Sequence, residues 1–400
     1  MTAADKLDAE HDTETGRKHV TKIAEEIYRR LGPDGLEQIG RLSRISMWQQ
    51  AAKVKQDDGT DEIQVTDLHG FQLAPSWDEG PEWPVVQPAA PVKIQAKGRS
   101  KRPARHYKTT VVLPDPQIGY WRIHDTGELI PMHDEPAMDV AVQIIAHLQP
   151  DAVVNLGDTM DMSEWTTKFI VQPEFVMTTQ PALDRTQTFL ADQRAAMPTD
   201  LEDPLPVKKL LGNHDERLAI AIAQNAKAAL RLKKANTPNS WPVMSLQNLL
   251  DTDEIGVEIS AGYPAGKFLI ARGNRTKTPL YAIHGKKLDV VKVAKESRQS
   301  YIQGHLHHIA EHHMTYELHG EPLHVVAISA GLLGSTKGRV PGFHSGQHAD
   351  GSPAEVVENW QQAVVVVHEF EDGYWTHQIV EIEDGRAVLG DREFVSEVEA

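Results

Sequence analysis

Five short polar motifs, each set directly after an apolar run, most constrain what this chain can fold into. They are Asp115-Pro116-Gln117, Gly157-Asp158, Gly212-Asn213-His214-Asp215, His284-Gly285 and Gly304-His305-Leu306-His307. The runs before them, at 111–113, 152–156, 206–211, 280–283 and 301–303, are short and apolar, as buried strands are. Between the first two runs, Met138, Ala141, Ile144, Ile145 and Leu148 recur at helical spacing over 135–148, and Pro150 closes the run. Strand, helix and strand make a β-α-β unit, so the fold class is α/β.

Further helices are expected at 183–196 and 219–233, then strands at 268–272, 314–318, 324–329, 363–369 and 374–380. Glu371-Asp372-Gly373 is the hairpin turn between the last two strands. Residues 1–73 read as an N-terminal helical region after a disordered start at 1–15. One helix runs over 17–31 to Gly32-Pro33. A second carries Leu36, Ile39, Leu42, Ile45, Met47 and Trp48, with Ser43 as an N-cap. The pair is either a helix-turn-helix or an appendage that packs or dimerises. Residues 74–108 are a linker, Pro-rich and then basic through Lys93, Lys97, Arg99, Lys101, Arg102, Arg105 and Lys108. The basic part is either a solvated linker or a contact to a phosphate backbone. The catalytic region is expected at 109–385 and an acidic tail at 386–400.

Composition narrows the chemistry. The chain has 400 residues and no cysteine, which excludes disulfides, thiolate metal sites and cysteine nucleophiles. Its net charge of −16 repels polyanions at long range. The first residues are polar, so no signal peptide is expected, and no apolar stretch is long enough for a membrane span. A cytoplasmic protein with no membrane partner is the expectation.

The motifs supply hard and borderline metal ligands. Asp115 and Gln117 lie at i and i+2 of an extended segment and can face one ion. Gly157 permits the close approach that a shared Asp158 carboxylate requires. Asp161 is placed to orient that carboxylate. Asn213 offers a neutral oxygen; His214 faces a substrate, with Asp215 to hold its imidazole in one tautomer. His305 and His307 can each reach a different ion, with Leu306 turned into packing. Arg122 and Arg217 either grip phosphate or form surface ion pairs. Trp165, Phe169 and Phe175 either stack on a base or pack.

In order and strand-end placement, over about 109–385, the motifs resemble those of calcineurin-like metallophosphoesterases, in particular the DNA-repair exonuclease and phosphodiesterase branch. The resemblance implies a four-layer α/β-β/α sandwich and two divalent metal ions. The first ion would be held by Asp115, Gln117, Asp158 and His307, the second by Asp158, Asn213, His284 and His305. His214 would serve the leaving group. The family places histidine where this chain has Gln117, so the first site is expected to be looser. It should favour Mn²⁺ or Mg²⁺ over Zn²⁺, with Fe a further alternative.

The function expected from this resemblance is hydrolysis of a phosphodiester by a metal-activated water, with DNA a candidate substrate. A small-molecule phosphomonoesterase or cyclic-nucleotide phosphodiesterase is the alternative. The protein-phosphatase branch is disfavoured because Asp161 is followed by Met162-Ser163 rather than Arg-Gly. A non-catalytic scaffold is the remaining reading.

Overall fold

The computed structural model describes residues 25, 28–29, 39–55, 61–75, 105–123, 126–166, 171, 173–260, 262–337 and 357–398, with 39–55 and 61–75 described by backbone alone. The chain divides into two units, residues 1–88 and 89–400.

In the first unit, strand β1 (Ile39–Lys55) pairs antiparallel with β2 (Asp61–Pro75). This corrects the expected second helix. Leu42, Ile45 and Trp48 fit a helical period, but residues 61–75 carry Ile63, Val65, Thr66 and Phe71, which favour strands. Pairing between the two runs overrides the local spacing. Of the first expected helix, Glu25, Tyr28 and Arg29 are helical, and the rest lies outside the described residues. The basic segment lies outside them up to residue 104.

The second unit holds strands β3 (Tyr107–Leu113), β4 (Tyr120–Arg122), β5 (Leu129–Pro131), β6 (Ala152–Asn155), β7 (Val207–Lys209), β8 (Val257–Ile259), β9 (Lys267–Ala271) and β10 (Leu280–Ile283). It continues through β11 (Ser300–Gln303), β12 (Ile309–Leu318), β13 (Glu321–Ala330), β14 (Gln362–Phe370), β15 (Trp375–Glu383), β16 (Arg386–Leu389) and β17 (Arg392–Val395). Its principal helices are α1 (Glu135–Leu148), α2 (Thr179–Ala196), α3 (Arg217–Asn225) and α4 (Val290–Ser297). An eight-stranded sheet has the order β17-β16-β15-β14-β3-β6-β7-β8, and a five-stranded sheet the order β12-β13-β11-β10-β9. The α/β class holds.

Period-2 alternation sorts side chains between the two faces of the larger sheet. Val112, Val154, Val365 and Val367 pack with Leu280, Ala282, Ile302, Val326 and Ile328 of the smaller sheet. Val111, Leu113, Val153, Val364 and Val366 turn the other way, onto Met138, Ala141 and Ile145 of α1 and Leu183 and Phe189 of α2. On the outer face of the smaller sheet, Val290 and Ala294 of α4 meet Val325 and Ala327. Helix α1 begins and ends where its sequence signals put it. The Asp134 carboxylate caps the Ala137 N–H, and Gln149 closes the helix in the left-handed region.

Helix α2 starts at Thr179 and β12 at Ile309, both earlier than expected, and two later boundaries also differ. Helix α3 stops at Asn225 because Ala226 leaves helical geometry (φ −143°, ψ 52°). The expected acidic tail is instead the hairpin β16-β17 on the edge of the larger sheet. Ala387, Leu389 and Phe394 bury against the helix-side core while charged residues alternate outward. The net acidity of the segment masked that alternation. Burial of Phe394 alone contributes about 2 kcal/mol.

Candidate metal centre

Strands β3, β6 and β7 are parallel neighbours in one sheet, and β10 and β11 are parallel neighbours in the other. All five motifs therefore emerge at carboxyl ends of parallel strands. Backbone bonds lace the loops together. The Gln117 N–H donates to the Asp158 carbonyl at 3.0 Å, and the His305 N–H donates to the Asp115 carboxylate. Five of the expected ligand residues hold positive φ: Asp115 (31°), Gln117 (52°), Asp158 (44°), His305 (68°) and His307 (59°). Such non-glycine conformations cost on the order of 1–3 kcal/mol each and persist only where surroundings enforce them. The glycines have a tighter requirement. A Cβ on Gly212 would sit 2.1 Å from Asp158 Oδ1, and one on Gly157 would sit 2.8 Å from the Gly212 nitrogen.

The expected ligands converge on one oxygen. Asp158 Oδ2 lies 3.3 Å from Gln117 Nε2 and 3.3 Å from His284 Nε2. Gln117 Nε2 is 3.5 Å from His307 Nε2, which is itself 3.7 Å from Asp115 Oδ2. Across the site, His284 Nε2 lies 3.0 Å from Asn213 Oδ1, and His284 Nδ1 donates to the Leu156 carbonyl at 3.0 Å. Asp158, His284 and His305 present ligand atoms that all lie within 4.8 Å of one another. All seven expected ligand residues are thus clustered together, and Asp158 touches members of both halves of the set.

Two observations test whether a cation fits. Asp115 Oδ1 and Gln117 Oε1 are buried with no hydrogen-bond partner, which costs free energy unless another group satisfies them. The Gln117 amide is also set with its nitrogen toward Asp158 and His307; rotating it by half a turn would put a third oxygen-type donor beside them. Carboxylate, amide and imidazole donors suit Mn²⁺, Mg²⁺, Fe or Zn²⁺.

The electrostatics reflect the crowding. Burial acts to lower the basicity of His284, but the charges of Asp158 and Asp115 outweigh it and hold the imidazole well above its ordinary range. Burial acts to raise Asp158, yet His284 and His214 hold it well below the usual carboxylate range. For His305 and His307 burial prevails and lowers both. These two rings are the readier neutral ligands.

His214 is held differently from expectation. Its Nδ1 donates to Asp161 Oδ1 at 2.9 Å, and Asp215 has no part in this. Adjacent residues in a turn point apart, so Asp215 turns inward and accepts from the Gly212 N–H (2.9 Å) and from Lys209 Nζ (2.9 Å). Asp161 thus orients the histidine. Burial opposes protonation of His214, and the nearby Asp158 and Asp161 overcome it and raise the ring. Arg217 binds the Asp161 carbonyl at 2.6 Å and its carboxylate at 3.3 Å, and places Nη2 3.0 Å from His214 Nε2.

Lys209 was missed by sequence reasoning. It is fully buried, and its Nζ also donates to Thr159 Oγ1 at 2.9 Å, so it ties the Gly-Asp loop to the Gly-Asn-His-Asp loop. A lysine inside an apolar strand run was its only sequence signal. Arg122 clamps the carbonyls of Gly127, Val176 and Met177 and is occupied structurally. Phe175 packs edge-on against Trp121, and Trp165 packs on the helix-side core, so both are structural. Phe169 lies outside the described residues.

No protein-family model matches the sequence. Among curated proteins the chain is similar to the gene 54 protein of Mycobacterium phage D29, at 31% identity over 156 residues. That stretch is 38% of this chain and 50% of the phage protein, so the chain matches about half the length of this relative.

Proposed function

We propose that the chain is a metal-dependent phosphoesterase of the calcineurin-like kind that hydrolyses a phosphodiester, with nucleic acid as the substrate class. The reading rests on one observation above all: Asp158 Oδ2 sits between Gln117 on one side and His284 on the other. On this reading the helix-sheet-sheet-helix packing is the four-layer sandwich of that family. Asp115, Gln117, Asp158 and His307 would hold one divalent ion, and Asp158, Asn213, His284 and His305 a second. Bound at such a centre, divalent ions acidify water and neutralise charge on phosphoryl oxygens.

The chain's own residues supply the rest. Asp161 fixes the Nδ1 proton of His214, and Nε2 lies 3.0 Å from Arg217 Nη2 and 3.9 Å from Asp158 Oδ2. As the water oxygen bonds to phosphorus and the ester P–O bond breaks, the departing oxygen would take the place of the Arg217 N–H at His214 Nε2 and receive a proton from the imidazolium, which Asp158 and Asp161 favour. Arg217 brings a guanidinium to the same place, where negative charge develops. No covalent enzyme intermediate is involved.

The deciding experiment offers the Mn²⁺-loaded chain a panel of bis(p-nitrophenyl) phosphate, p-nitrophenyl phosphate, cyclic nucleotides, and single- and double-stranded DNA. Diester cleavage is the expected result. Monoester cleavage alone would move the assignment to a phosphomonoesterase, and no hydrolysis with Mn²⁺, Mg²⁺, Fe²⁺ or Zn²⁺ would reject it. A second expectation concerns the departure at Gln117. Gln117→His should tighten metal binding about tenfold at the weaker site, since imidazole is the stronger donor. Calorimetric titration with Mn²⁺ checks this, and equal or weaker affinity would remove Gln117 from the ligand set.

A further inference from the structure

Two aromatic residues flank the ligand set from opposite halves. The Trp360 ring stands edge-to-face on His307, with centroids 4.8 Å apart at 82°. The Tyr263 ring stands on His284, at 5.7 Å and 70°. Both side chains are half-buried, so each keeps surface open to solvent. Each is anchored to the site through backbone. The Gln361 N–H donates to the His307 carbonyl at 3.0 Å, and the Tyr263 N–H donates to Glu216 Oε1 at 3.0 Å, one residue past the Gly-Asn-His-Asp motif.

We propose that Trp360 and Tyr263 are stacking walls for two bases of a single-stranded nucleic acid, one on each side of the phosphate that is cut. This inference rests on the phosphoesterase reading and narrows its substrate. A planar ring beside each half of the centre suits a diester with a flat group on each arm, and a monoester has only one arm. The bases must be unpaired, because bases stacked within a duplex do not offer their faces to side chains. The overall charge of −16 disfavours holding a strand by phosphate contacts alone, so stacking supplies affinity that charge does not.

The test is binding, measured apart from turnover. Fluorescence anisotropy compares a phosphorothioate-linked tetrathymidylate with an abasic phosphorothioate strand of equal length, both on the full chain with Mn²⁺. Stacking contributes roughly 5- to 150-fold per base, so the thymidylate should bind at least tenfold more tightly. Trp360→Leu and Tyr263→Leu should each cut that ratio about fivefold or more. Trp360→Phe, which keeps a ring, should hold it within about twofold. If a leucine variant does not fold, the ratio in the parent chain and in Trp360→Phe still decides. Equal affinity for the two strands, while bis(p-nitrophenyl) phosphate is still hydrolysed, overturns the stacking walls alone. Absence of hydrolysis by the parent chain overturns the phosphoesterase reading beneath them.

Discussion

Replacing His214 by alanine is expected to lower turnover of a phosphodiester by about a hundredfold or more, while Mn²⁺ still binds. The ring stands beside the expected ligand set, its Nε2 3.9 Å from Asp158 Oδ2, and Asp161 holds its Nδ1. The measurement is kcat with saturating metal, paired with a calorimetric Mn²⁺ titration. Unchanged turnover would remove the histidine from the chemistry, and lost metal binding would make it a ligand instead. Asp161→Asn should reproduce part of the loss, because a neutral amide holds the Nδ1 proton less firmly. Asp215→Asn should not, since Asp215 faces Lys209 and the Gly212 N–H.

The second large effect falls on stability. Lys209 and Asp215 are both fully buried and pair at 2.9 Å. Lys209→Met would strand a carboxylate in the interior, a change that costs about 3–5 kcal/mol. Denaturant unfolding measures it. The double variant Lys209→Met with Asp215→Asn should recover much of the loss, because the amide is uncharged and its oxygen still accepts the Gly212 N–H. A single variant within about 0.5 kcal/mol of the parent would show that the pair is dispensable.

Much of the candidate site was legible in the sequence because the residues expected as ligands sit at ends of local elements. Most of the longer strands of the second unit and its first helices announce themselves through period 2 and period 3.6, and α1 falls on 135–148, where its spacing and Pro150 put it. What was illegible depends on distant contacts. No local pattern says that β1 finds β2, or that Ala387, Leu389 and Phe394 bury on the edge of a sheet begun far upstream. The partner of His214 is another such case: Asp215 is adjacent in sequence, but Asp161 meets the ring across two loops. Tyr263 and Trp360 were passed over because neither belongs to a motif; only packing beside His284 and His307 gives them meaning.

The ligand residues are divided between the sheets. Asp115, Gln117, Asp158 and Asn213 follow strands of the larger one, and His284, His305 and His307 follow strands of the smaller. Any ion bound among them therefore bridges the seam where the two sheets meet, and its binding free energy adds to the cohesion of that seam. At a hundred times its dissociation constant, a ligand of the folded chain contributes about 2.7 kcal/mol. Heat resistance in this protein should accordingly follow divalent-ion supply, and a chelator should loosen the packing of the two sheets before it touches the helices.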